Sequence, residues 1–288
     1  MQPPPVPEIQ ITNYSDPKKK RYECVIDGEP VDLERVTSLL NGLPKPGLTY
    51  GQVWGTIDAA LDRAPTFAED VSADRKQVRK ELYGAVFEQW ALRREIGTAV
   101  HRQVESRILG GRAPLVPHDV DGVEVGEILV QFDRFCDAFS PEWEASELMV
   151  ISTKHKYAGT LDTIVTVQTD NGPRRLLVDI KCTKRESKTN KPGVWLDQAC
   201  QMSAYVNAEW CVDAKAGIVE PVPDVDGAAI LWLHREEWAL VELDVGDRVF
   251  DLFLAGAYVY RTQGDAAKNA DGENAKWWKI ETLRGANG

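Results

Sequence analysis

The chain reads as an α/β protein, and three features predict that class. Residues 147–182 alternate apolar and polar side chains between turn signals; residues 125–139 carry apolar side chains at helical spacing; a long helix-forming stretch precedes both. Alternation with period two puts successive side chains on opposite faces of a strand, whereas apolar residues at i, i+3, i+4 and i+7 line one face of a helix. The 288 residues, 43% of them hydrophobic, suffice for one enlarged domain with a sizeable core rather than two domains.

Taken in order, residues 1–20 are expected to be a mobile N-terminal segment. They open with Met1-Gln2-Pro3-Pro4-Pro5 and lack the basic and apolar blocks of a signal peptide. One domain is expected over 21–262, with a helical part at 50–140 and a core at 145–235. Residues 21–32, centred on Asp27-Gly28, read as a small hairpin, because Asp-Gly supplies the positive φ angles of a two-residue turn. Helices follow at 50–61 and 75–109, the second stopped by Gly110-Gly111. Val125, Ile128, Leu129, Phe132, Phe135, Cys136 and Phe139 form one apolar stripe and predict a further helix.

Strands are expected at 147–153, 159–169 and 174–182, the last two joined into a hairpin by the turn residues Asp170-Asn171-Gly172-Pro173. A helix beginning near Trp195 places Gln198, Gln201 and Tyr205 on one stripe at i, i+3 and i+7. Residues 228–234 read as a buried strand and 245–260 as a closing helix. Residues 263–288 read as a flexible tail, with Trp277 and Trp278 as candidates for docking back. No run approaches a membrane span, and a cytoplasmic location is expected. Cys24, Cys136, Cys182, Cys200 and Cys211 are odd in number, include no Cys-x-x-Cys, and read as free thiols of a reducing compartment.

The chemistry is concentrated between Gly159 and Tyr205. In Val178-Asp179-Ile180-Lys181 alternation puts Asp179 and Lys181 on one face, with Val178 and Ile180 turned into the core. The preceding strand carries Asp162, which an antiparallel hairpin can set across from Asp179. Two carboxylates on neighbouring strands can hold a hard divalent cation, and charges inside an apolar strand are costly to bury without such a partner. An isolated Asp-x-Lys is usually a solvated pair, so the constellation carries the reading. His101 on the long helix would, alone, be an ordinary structural histidine; Gly97, one turn earlier, is expected to let another element approach its face. The polar loop 183–193 holds Lys184, Arg185, Lys188 and Lys191, which suit phosphate contacts. Lys154, Lys156, His155 and the Lys18-Lys19-Lys20-Arg21 cluster are weaker substrate contacts.

The net charge of −11 is unlike that of a protein that coats nucleic acid, which is usually basic overall, and argues against a sequence-reading regulator. An enzyme needs only local basic surface, and binding without metal should be weak and salt-sensitive.

The order Gly159-x-x-Asp162, Asp179-x-Lys181, Gln201-x-x-x-Tyr205, preceded by Gly97-x-x-x-His101 and by a segment around Arg35-Val36-Thr37 and Leu43-Pro44-Lys45, resembles the RecB-like branch of the PD-(D/E)XK nucleases, including phage exonucleases. The resemblance spans roughly 31–210. It implies a small mixed sheet flanked by helices, with N-terminal helical additions. It implies Asp162, Asp179, His101 and the Ile180 backbone carbonyl as ligands of magnesium or manganese, with Glu147 at a more variable acidic position. Lys181 would orient or deprotonate the attacking water. Gln201 and Tyr205 would position the nucleic-acid backbone or brace the lysine, and Gln198 would contact DNA. Some relatives hold an iron-sulfur cluster through late cysteines; no cysteine follows Cys211, so none is expected here. The implied activity is DNA phosphodiester hydrolysis, as an exonuclease in phage recombination, replication or repair, alongside a single-strand-binding or recombinase protein. An endonuclease, or a nuclease fold that has lost its chemistry and serves as a DNA-binding scaffold, are the alternatives.

Overall fold

A computed structural model describes residues 6–13, 21–118, 120–182, 192–213 and 217–266. The chain is mixed α/β, as expected, and among the described residues it forms ten strands in one sheet and six α-helices. The strands are β1 (Ile9–Asn13), β2 (Arg21–Ile26), β3 (Glu29–Arg35), β4 (Glu142–Ser152), β5 (Tyr157–Thr169), β6 (Gly172–Cys182), β7 (Trp210–Asp213), β8 (Ile218–Pro221), β9 (Gly227–Leu233) and β10 (Trp238–Leu243). The helices are α1 (Val36–Leu39), α2 (Pro46–Asp62), α3 (Phe67–Ile108), α4 (Gly122–Phe139), α5 (Leu196–Val206) and α6 (Asp247–Ala266). Among the described residues no helix is long and apolar enough to cross a membrane.

Local chemistry sets the element ends. Asp27 and Gly28 both take positive φ, 51° and 82°, the conformation of a tight hairpin turn between β2 and β3. Asp74 interrupts α3 with non-helical angles, and its carboxylate accepts from the Gln77 N–H at 2.9 Å, capping the segment that follows. The main body of α3 thus starts at Arg75, where the sequence placed it. At its other end Gly110 adopts φ 66° and the Gly111 N–H bonds the Ser106 carbonyl at 2.8 Å. Asp121 caps α4 through the Val123 and Glu124 amides, and Ser140 closes it in the left-handed region. The predicted apolar stripe of α4 is the buried one, with Phe132, Phe135 and Phe139 meeting Trp143 of β4 and Trp238 of β10.

The sheet forks, and the fork positions the site. β5 pairs antiparallel with β4 along one edge. Along its other edge β5 meets two strands in succession: its start pairs parallel with β3 through Arg35↔Ala158, and its end pairs antiparallel with β6 from Thr163↔Val178 onward. Beyond Val178, β6 leaves β5 and runs parallel to β9, from Asp179↔Ile230 to Cys182↔Leu233. Residues 159–162 therefore face a gap between β3 and β6. Helices α1, α5 and α6 cover one face of the sheet over Ile164, Leu177, Ile230 and Trp232. Helices α3 and α4 cover the other over Val165, Val178, Ile180 and Leu231. A third cluster lies under β1–β3 around Tyr22, Leu33, Met149 and Trp210.

Several sequence expectations change here. Residues 9–13, expected within a mobile segment, form β1 and pair with β2; Ile9 is buried. The sheet is larger than the expected small one, because β1, β7, β8 and β10 are short or weakly alternating and take their strand form from neighbours. The hairpin runs on to Arg35, α2 starts at Pro46, and β4 starts at Glu142. Helix α6 runs on to Ala266, into the stretch expected as a flexible tail; residues 1–5, 14–20 and 267–288, including Trp277 and Trp278, lie outside the described residues.

Candidate active site

The end of the β5–β6 ladder brings the two carboxylates together. One further step past Thr163↔Val178 would set Asp162 directly across from Asp179, as the hairpin argument required. The strands instead part there, leaving the Ile180 N–H without a ladder partner on that side. The Asp162 carboxylate takes its place, accepting from Ile180 at 2.7 Å.

Strand alternation breaks at the same point. Leu161 and Ile164 both join the core under α5 and α6, a spacing of three that strict alternation forbids. Across the ladder, between the Ser146↔Thr163 and Leu148↔Leu161 pairs, Glu147 sits at φ 57°. A side chain in the left-handed region is strained, and such residues gather at functional sites. Glu147 lies on the wall of a cleft of about 1370 Å³, together with His101, Lys181 and the exposed face of α3.

Asp179 is 2% exposed. Its Oδ1 accepts from Gln201 Nε2 at 3.3 Å, and the same amide donates to Tyr205 Oη at 2.9 Å. Its Oδ2 is ion-paired with the Lys181 ammonium. Burial pushes the Asp179 carboxyl up, an effect the Lys181 charge opposes and the Asp162 carboxylate reinforces. Burial disfavours the Lys181 charge, but the carboxylates of Asp179 and Asp162 outweigh it and raise the lysine pKa. Lys181 is thus held as an ammonium with 29% of its side chain exposed to the cleft. Burial, then the Asp179 charge, also push the Tyr205 phenol well up, so it stays neutral. His101 Nδ1 stands 3.6 Å from Asp162 Oδ2, at contact distance without a hydrogen bond.

The glycine of Gly159-x-x-Asp162 has a packing reason. A Cβ there would lie 2.5 Å from the Tyr205 ring, so the ring rests directly on the β5 backbone. Tyr157 Oη fixes the helix from the same strand, donating to the Ala204 carbonyl at 2.7 Å.

Some expected roles change. Gln201 and Tyr205 brace Asp179, not Lys181, because α5 packs so closely on β5 and β6 that both are buried. Gln198 is the cap of α5, accepting the Trp195 N–H at 2.9 Å, and lies outside this cluster. Gly97 does not admit a neighbouring element: a Cβ there would meet nothing within 4 Å, and the residue lines the open cleft. Lys184, Arg185, Lys188 and Lys191 lie outside the described residues. Sequence reasoning passed over Tyr22, whose hydroxyl is 3.4 Å from Thr160 Oγ1 beside the gap, and Arg94 and Arg102, which line the cleft on either side of His101. The arginines were legible from their spacing to His101 on one helix; Tyr22 was not.

The donor types at the site are those that hard divalent ions prefer. The donors are carboxylates and an imidazole, and the buried Asp179 Oδ2 has the Lys181 ammonium as its partner. Burial holds the Cys182 thiol, also on the cleft wall, up at about 12, so it offers no thiolate. Among the described residues, no group of three or more His, Cys, Asp or Glu side chains is placed to hold a metal ion.

Comparisons add no family. No family model matches the chain, and no curated protein matches it. Among solved structures, that of SSO0001 aligns with 61% of this chain and 76% of its own at 13% identity and a TM-score of 0.26. A superposition that loose carries no argument about fold or activity.

Proposed function

We propose that the chain is a metal-dependent deoxyribonuclease on a PD-(D/E)XK-type core. The observation that carries the reading is the buried Asp179 carboxylate, its Oδ2 set against Lys181 at the wall of an open cleft and braced from behind by Gln201 and Tyr205. Buried ion pairs that open on a cleft, with their ionisation shifted by burial and by each other, are common at functional sites.

Asp162, Asp179 and the Ile180 carbonyl would hold magnesium or manganese, with His101 and Glu147 as additional donors. The ion, once bound, supplies a water of lowered pKa and a polarised phosphoryl oxygen. Lys181 would orient or deprotonate the attacking water and offset negative charge growing on the phosphate. Gln201 and Tyr205 are positioning residues that fix the Asp179 carboxylate. Asp162 has two tasks, since it also ties down the Ile180 amide next to the carbonyl it would assist. The resemblance makes exonuclease action in recombination, replication or repair the preferred form.

The test is digestion of end-labelled linear and closed circular DNA with magnesium or manganese and with chelator, comparing wild type and Lys181→Ala. Metal-dependent loss of linear DNA alone, absent in the variant, supports an exonuclease. Cutting of circles makes it an endonuclease. Absence of cleavage under either metal overturns the proposal.

A further inference from the structure

The helix that carries His101 continues away from the site as a surface of unusual composition. Tyr83 and His101 are eighteen residues apart, five whole turns at about 100° per residue, so they point the same way along about 27 Å of α3. Phe87 and Arg94 fall within the same stripe. Lys76 and Lys80 extend it past Tyr83, all on the segment that starts after the Asp74 interruption. Tyr83 is 58% exposed and Phe87 40%. Their rings meet edge to face with centroids 4.8 Å apart, and Phe87 meets Trp90 likewise at 5.7 Å, so the three form a short aromatic ladder of which Tyr83 and Phe87 stay exposed. In the packing of α3 on α2, Val86 is buried against Gly55 and Trp90 meets Gly51; Phe87 borders that contact through the Trp90 ring, while both Tyr83 and Phe87 keep much of their surface exposed. Lys76, Lys80 and Arg94 make no ion pair among the described residues, although this chain has an excess of acids to offer. Glu88 and Glu95 project from a different side of the helix. Glu105, beyond His101, is the acid within the stripe.

Exposed aromatic faces interleaved with unpaired cations suit one ligand chemistry. Bases of a single nucleic-acid strand stack on the rings while phosphates meet the cations, whereas a duplex hides its base faces. We infer that α3 is a track for single-stranded DNA, which stacks on Tyr83 and Phe87, is held by Lys76, Lys80 and Arg94, and enters the cleft at His101. This deepens the nuclease reading and rests on it for what happens at the end of the track. Arg94 lines that cleft together with His101 and Lys181, so the strand's path is continuous with the site.

Fluorescence anisotropy of a labelled oligothymidylate strand, with chelator present so that nothing is cut, tests the track. Phe87→Ala should weaken binding roughly 5- to 150-fold, the range of one lost base-stacking platform. Phe87→Trp should restore it, and Phe87→Leu, which keeps apolar bulk without a π face, should not. Arg94→Ala should reduce the slope of log affinity against log salt by about 0.7. Equal binding by Phe87→Leu and wild type, tighter binding of a matched duplex than of the strand, or no strand binding by wild type would each overturn the inference. Lys181→Ala separates the two proposals. Loss of cleavage there with strand binding intact supports both; a wild type that never cuts, yet binds strand through Phe87, removes the nuclease reading alone; cleavage with indifferent Phe87 variants removes the track alone.

Discussion

Gly159→Ala is the sharpest probe of the site's internal packing. The added methyl would sit 2.5 Å from Tyr205 Cε1 and 3.2 Å from both Cζ and the hydroxyl oxygen, so the ring must retreat by about an ångström to reach ordinary contact. It has little room, since Tyr205 is 2% exposed and its hydroxyl accepts from Gln201. The backbone cannot easily yield either, because Gly159 is paired to Val150 within the sheet. Overpacking of this kind costs about 1–3 kcal/mol, and a strained or broken hydrogen bond adds about 1 kcal/mol. The sum, about 2–4 kcal/mol, corresponds to roughly 4–8 °C in Tm for a chain of this size. Calorimetry of Gly159→Ala, Tyr205→Leu and the double variant measures it. The leucine removes the ring, so the alanine should be less harmful in that background, with a coupling of at least about 1 kcal/mol. A Tm within a degree of wild type, or an alanine effect equal in both backgrounds, refutes the packing argument.

Asp162→Ala should lose cleavage and also destabilise the fold by about 1–3 kcal/mol, because the Ile180 amide loses its acceptor; chemical denaturation reads the second effect, which a purely ligand role would not produce. His101→Ala should weaken manganese binding with Tm unchanged, and an unaltered manganese titration would return His101 to a structural role. Arg261→Ala should destabilise by about 1–3 kcal/mol, since the guanidinium of α6 joins Glu34 to the carbonyls of His155 and Lys156; a Tm shift below a degree refutes this clamp. Hydrogen bonds from Arg175 to Glu144 and from Arg174 to Glu242 lower both carboxyl pKa values, so their stabilisation is complete above pH 4.5 and is lost as pH falls through the depressed values. The Glu144→Gln, Glu242→Gln pair should therefore flatten the acid limb of Tm against pH, and an unchanged limb would assign acid sensitivity elsewhere.

Much of the site was legible because its rules are local. Alternation in β6 puts Asp179 and Lys181 on one face, the Asp170–Pro173 turn aligns Asp162 with Asp179, and helical spacing brings Gln201 above Tyr205. The stripe from Val125 to Phe139 marked the buried face of α4, and Asp27-Gly28 marked its turn. Periodicity cannot say which partner a polar residue finds. Gln198 and Gln201 look alike in the sequence, yet one caps its own helix and the other reaches a carboxylate on a neighbouring strand.

The sequence by itself indicated the α/β class, the placement of most long elements and a hairpin that carries Asp162 towards Asp179, because each follows from the geometry of a few consecutive residues or one short turn. Only the tertiary structure decided where the β5–β6 ladder stops, that β3 takes up the other end of β5, that Asp162 satisfies the Ile180 amide in the gap, and that Glu147 is strained opposite it. Those outcomes depend on contacts between strands, from 18 positions apart for Asp162 and Ile180 to more than a hundred for β3 and β5, whose packing free energies no local pattern records.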